Sequence, residues 1–180
     1  YLHEKGMFVN GIEDLTQLPD SRFVLNGFHA QNVLVTLLWV LRTDTNGNSI
    51  WDTTLTFNYN SQSGKDIITT YDNGLVVVGY TGHNDIMTRG LIFKVDSNNQ
   101  ILWSKILSEN PDGSGQIYYS VINTVFELPD HSIVCSGSLS INGNPKKRML
   151  LMKFDESVKE LWRRTFTPSG VNHTYGYDMD

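Results

Sequence analysis

The side chains in this sequence that could do chemistry lie in its polar stretches, and most stand singly. Asp44, Asn46 and Asn48 have the alternate-oxygen spacing of a calcium loop, and a hard cation takes oxygen ligands of this kind. Ser49, however, stands where an EF-hand-like loop needs Gly, and no Glu closes the run. Two later copies decay to Asp96/Asn98/Gln100 and Asp155/Ser157/Lys159, so the expected structure is a hairpin turn with Asx bonding. His3, His29, His83, His131 and His173 show no HxxxH or HxH spacing, and no metal centre is expected. Glu109 with Asp112 or Asp178 offers an acid and a base for glycoside cleavage. There is no GxSxG, P-loop or GxGxxG motif, and Gly113-Ser114-Gly115 lacks the flanking elements of a phosphate cradle, so no cofactor is expected.

What must position these residues is a repeat. Arg42-Thr43-Asp44 is followed by Trp51, Lys94-Val95-Asp96 by Trp103, and Lys153-Phe154-Asp155 by Trp162. In each copy a cation stands two residues before an Asp, and a Trp follows that Asp by seven. Upstream, Asp20, Asp72 and Asp130 each precede a glycine by seven, namely Gly27, Gly79 and Gly137. Those glycines precede the second Asp by 17, 17 and 18 residues. The Trp-to-Trp periods are 52 and 59, and the extra residues fall in the polar segments 108–116 and 140–148, as insertions into loops would.

Each copy reads as four short strands separated by turn residues. The first has strands at 9–17, 22–27 and 34–43 and a fourth from about Ile50, with Leu18-Pro19-Asp20 and Asn46-Gly47 as turns. The second has strands at 67–71, 75–79, 90–95 and 101–107, and the third at 118–127, 132–137, 149–154 and 161–166. A period of about 50 residues with four strands and no helical periodicity predicts an all-β chain of β-propeller blades. The repeats run approximately 5–56, 57–107 and 108–166, with the start of a fourth at 167–180. A two-layer sandwich would have no reason to repeat the same four strands at a fixed period. Three blades do not close a ring, which takes roughly four to eight. The 180 residues are therefore expected to be part of a longer chain, or to pair with another copy or a partner subunit.

The pattern of strand, Asp turn, apolar strand ending in Gly, then K-x-D-x-x-G-x-x-x-W resembles the repeat of secreted propeller-like proteins common in Bacteroidetes. It is carried by Arg42/Asp44/Gly47/Trp51, Lys94/Asp96/Trp103 and Lys153/Asp155/Trp162, with Asn99 and Val158 near the turn-Gly position. The resemblance implies a secreted or cell-surface protein exported by type IX secretion, and no sorting domain lies in these residues. The Asp-to-Trp motif is also more distantly similar to that of quinoprotein dehydrogenase propellers, whose Asp-to-Trp interval is one residue longer. The shared Trp is expected to pack between blades.

In a propeller the connections after the second and fourth strands share one face. Residues 28–36, 57–66, 80–89, 107–116, 138–148 and 166–175 should then lie together. They carry Tyr59, Tyr80, His83, Asp85, Asp112 and His173, an aromatic and polar mixture suited to sugars or peptide chains, and these are the expected ligand-binding residues. The expected function is a non-catalytic binding or interaction module with a carbohydrate or protein ligand. The alternative is a propeller enzyme acting on glycans or, more remotely, a quinone-dependent dehydrogenase.

Bulk properties narrow the partners. Fourteen basic against nineteen acidic side chains give a net charge of −5, which argues against a nucleic-acid partner. The longest apolar run, 33–41, is far short of the roughly 20 residues a spanning helix needs, so the chain is not expected to span a membrane. The lone Cys135 lies in an alternating run, as a buried strand thiol would.

Overall fold

The computed structural model describes residues 9–32, 34–57, 59–82, 88–107, 117–141 and 144–167. These form twelve antiparallel strands, with no helix among the described residues. The first sheet contains β1 (Asn10–Gln17), β2 (Phe23–Asn32), β3 (Val35–Thr43) and β4 (Ser49–Leu55). The second contains β5 (Ser61–Thr69), β6 (Leu75–Gly82), β7 (Arg89–Val95) and β8 (Ile101–Ile106). The third contains β9 (Ile117–Glu127), β10 (Ile133–Ile141), β11 (Asn144–Phe154) and β12 (Glu160–Phe166). Each sheet is a meander whose strands pair in chain order. Among the described residues no helix is long and apolar enough to cross a membrane.

Hydrophobic patterning decides the stacking. Leu75, Val76, Val77 and Val78 form an unbroken apolar run, as do Leu91, Ile92 and Phe93, and all are fully buried. A strand can bury successive residues only if both faces of its sheet are covered. The second sheet is accordingly the middle layer. Leu75, Val77, Leu91 and Phe93 join Val24, Leu38 and Val40 of the first sheet in one core. Val76, Val78 and Ile92 join Cys135, Leu150, Met152 and Phe154 of the third in another. Cys135 is thus a buried strand thiol, and burial raises its pKa. Strand β5 packs across β1, β2 and β3, and β9 packs across β5, β6 and β7, so the first strand of the second and of the third sheet lies against the sheet before it.

The repeated glycines answer to a bulge. Register shifts between Ile12 and Asp14, and between Gly64 and Asp66, leave Glu13 and Lys65 as extra residues. In the third sheet the same shift falls at Asn123, beside the pair Gly137 and Ile122. The bulge drives a carbonyl toward the neighbouring strand. A Cβ on Gly27, Gly79 or Gly137 would sit 2.0, 2.0 or 2.1 Å from the carbonyl oxygen of Gly11, Ser63 or Val121. These glycines lie within their strands, not at the ends, and β2, β6 and β10 run several residues past them. The bulge also explains why β5 begins at Ser61, six residues before the apolar run that announces it, since Gly64 and Lys65 interrupt the alternation.

Candidate functional site

Six tight turns, those after the first and third strands of each sheet, have one construction. In the turn before β2, Leu18 N–H bonds Arg22 O at 2.8 Å and Ser21 N–H bonds Leu18 O at 2.9 Å. The same pair of bonds recurs at Thr70/Gly74, Leu128/Ser132, Asp44/Asn48, Asp96/Gln100 and Asp155/Lys159. Each turn is a type I turn followed by one residue in the left-handed region. Those residues are Ser21, Asn73 and His131 in the turns after first strands, and Gly47, Asn99 and Val158 in the turns after third strands. In the latter set Asp44 Oδ1 accepts the N–H groups of Asn46 and Asn48 at 2.9 and 2.8 Å. Asp96 and Asp155 do the same with their own turns. The Asx bonding expected of Asp44, Asn46 and Asn48 is therefore present, and the Asp44 carboxylate serves the turn.

The other spacing that recurs inside the chain gives an ion pair across the second and third sheets. Lys94 Nζ lies 2.6 Å from Asp72 Oδ2, and Lys153 Nζ lies 3.2 Å from Asp130 Oδ2. Partial burial acts to raise the Asp72 carboxyl, but hydrogen bonds from Lys94 and Thr70 prevail and bring it down to about 2. In the first sheet Arg22 takes Asp20 instead, with Nε 2.7 Å from Oδ2. Arg42 is left buried, its Nη1 3.5 Å from Ser97 O and its guanidinium 5.8 Å from the Trp51 ring centroid. Each cation is directly cross-strand from its Trp: Arg42 from Trp51, Lys94 from Trp103 and Lys153 from Trp162. Trp51 packs against the core between the first and second sheets, and Trp103 against that between the second and third.

At this turn end the junctions between sheets open into two grooves. One, of about 280 Å³, lies between the first and second sheets and is lined by Leu18, Pro19, Asp20, Arg22, Arg42, Asn73 and Ser97. The other, of about 220 Å³, lies between the second and third and includes Tyr71, Asp72, Lys94, Trp103, Glu127, His131 and Glu156 in its lining. Equivalent positions differ in kind: Tyr71 replaces Pro19, His131 replaces Asn73, and Glu156 replaces Ser97. The Tyr71 and His131 rings stack with centroids 3.4 Å apart and 22° between planes. Glu127 crosses the groove, accepting the Tyr71 N–H at 2.9 Å on Oε2. The scaffold needs only the turn Asp, the cation and the Trp. The aromatic and acidic groups are added to it at the second junction.

Of the expected ligand-binding residues, Tyr59 and Tyr80 lie among the described residues, and both are half-buried at the opposite end of the second sheet. Tyr59 O accepts a hydrogen bond from Gln62 Nε2 at 2.8 Å, and Lys65 Nζ stands 5.9 Å from the Tyr80 ring centroid. Ser63, two residues from Ser61 at the head of β5, is the register partner of Tyr80, so that end of the sheet holds both tyrosines. His83, Asp85, Asp112 and His173 lie outside the described residues, as do Glu109 and Asp178. Of the histidines, His29 Nδ1 is 2.9 Å from Asn10 Oδ1. Sequence reasoning missed the groove, because Tyr71, Glu127 and Glu156 come together only when consecutive sheets stack. The one available signal was Tyr71, standing where the other two copies carry a turn proline, Pro19 and Pro129. No family model matches the chain, and no curated protein matches it.

Proposed function

We propose that the three sheets are blades of a β-propeller, and that the chain is a secreted or cell-surface binding module without catalytic activity, working within a larger protein or assembly. One observation carries this reading: among the described residues the same face-to-face contact is made twice and left open at both ends. The front of the first sheet meets the back of the second, and the front of the second meets the back of the third. The back of the first sheet then presents Phe23, Leu25, Trp39 and Leu41, and the front of the third presents Val134, Leu151, Trp162 and Phe166, all at least partly exposed. Faces of this kind favour continuation around a ring by further blades or a partner subunit. Secretion and surface location follow from the resemblance of the repeat. The groove beside Tyr71 supplies the binding surface, and the set expected from the sequence, Tyr59, Tyr80, His83, Asp85, Asp112 and His173, is a second candidate for a carbohydrate or protein ligand.

The test is an array of glycans, polysaccharides and peptides probed with the protein, with released sugar assayed in parallel. Retention of a ligand without release of product is the expected result. Liberated sugar overturns the non-catalytic reading.

A further inference from the structure

The geometry points to the groove between the second and third sheets as a site for an organic cation, an alkylammonium or guanidinium group held between Tyr71, Trp103, Glu127 and Glu156. This rests on the binding-module reading and gives its ligand a chemistry. Lys94 and Asp72 neutralise each other at 2.6 Å, so the charge left in the groove is that of Glu127 and Glu156. Glu156 makes no ion pair among the described residues. Aromatic rings present a negative π-face that attracts a cation, and flanking carboxylates in a recess deepen the attraction. Trp103 lies half-buried along the wall, and Tyr71 is 58% exposed with His131 stacked on it.

The repeat provides an internal comparison. The equivalent groove between the first and second sheets carries Arg22 and Arg42 against Asp20 alone, and its turns bring Pro19 and Asn73 in place of Tyr71 and His131. Two grooves built on one scaffold therefore have opposite charge. Packing and turn formation do not require that difference, since the first junction closes without Tyr71 or Glu156. The chain's net charge of −5 adds a general attraction for cations.

The experiment is a titration of the complete chain with a trilysine peptide, with spermidine and with cellohexaose, followed by ¹H–¹⁵N NMR at the Trp103 indole and the Tyr71 amide. Both resonances are expected to shift saturably with trilysine. Glu156→Gln and Glu127→Gln, which keep size and leave an oxygen for the Tyr71 N–H, should each weaken binding by roughly fivefold. Raising salt from about 0.05 to about 0.5 M should weaken it by about tenfold or more. Saturation by spermidine as well identifies a bare ammonium as sufficient, and saturation by trilysine alone identifies a side chain on a peptide. Shifts that survive both Gln variants overturn the assignment, as does the absence of any saturable shift with either cation. If cellohexaose alone saturates the resonances, the cation assignment fails while the binding-module reading stands.

Discussion

Asp14 and Asp66 hold the three sheets in file. The Asp14 carboxylate accepts the Ile67 N–H of the second sheet at 3.0 Å, and Asp66 accepts the Val125 N–H of the third at 2.7 Å. Beside them, Lys65 on one bulge is 2.6 Å from Glu13 on the other. Burial, and next the hydrogen bond that protonated Asp66 donates to Asp14, push the Asp66 carboxyl up to about 7. Two carboxyls so placed share a proton.

The sharing predicts an unusual pH dependence. Between about pH 4 and 7 folded Asp66 keeps a proton that an unfolded aspartate has lost, so its contribution to stability falls as pH rises through that window. Asp72 and Asp130 act in the opposite sense. Each is held at about 2 by its hydrogen bonds, so their contribution is complete above about pH 4 and is lost as pH falls below it. In Asp66→Asn the amide can donate to Asp14 while its oxygen accepts from Val125. Urea unfolding at about pH 5 and about pH 8 should show a decline in the natural protein that the variant lacks, and at the higher pH the variant should be at least as stable. Asp66→Ala leaves the Val125 N–H without its acceptor and should cost about 1–3 kcal/mol. A natural protein whose stability does not fall between the two pH values would refute the shared proton.

Gly79→Ala tests the bulge. Its Cβ would stand 2.0 Å from Ser63 O, a backbone atom that no rotamer change can move. The β5–β6 pairing must then part locally, at a loss of about 3 kcal/mol or more. Thermal unfolding should drop by about 6 °C or more for a domain of this size. A near-neutral variant would mean that the bulge is not fixed in place.

How far the architecture could be read from the residues depends on the range of each constraint. The turn Asp, the cation two residues before the next Asp, and the Trp are placed by turns and cross-strand pairs inside one sheet, so their spacing recurs and is readable. The Gly79 position was readable in the same way, but its cause lies in the bulge at Lys65, on a strand whose polar start hides it. The clamp was not readable: Asp14 and Asp66 recur 52 residues apart, but Thr124 replaces them in the third sheet, and their partners belong to a different sheet. The Tyr71 groove shares that obstacle, being made from two sheets at once.

Val158 and Gly47 form a matched pair. Both occupy the left-handed position of equivalent turns, with φ of 64° and 84°, and a β-branched residue is strained there. Val158→Gly should stabilise the chain by about 1 kcal/mol, since the relief exceeds the added freedom of the unfolded chain. Gly47→Val should destabilise by about as much. A Cβ at Gly47 meets nothing within 4 Å, so any loss there comes from the backbone alone. Denaturant melts of the two variants should move in opposite directions, and parallel shifts would contradict the assignment of strain.

The three tryptophans separate a stacked pair of junctions from a closed ring. Trp51 and Trp103 each face a following sheet and pack on the core it completes, whereas the equivalent Trp162 has no following sheet among the described residues. Trp51→Ala and Trp103→Ala should therefore each cost about 2–4 kcal/mol, and Trp162→Ala less than about 1 kcal/mol, in this chain alone. If a further blade or a partner subunit covers the third sheet, adding it should raise the loss at Trp162 to match the other two. Urea unfolding of the three variants, with and without the covering component, reads this directly. A large loss at Trp162 in the isolated chain would mean that the front of the third sheet is already covered. A loss that stays small with the component bound would remove the ring from the proposed architecture.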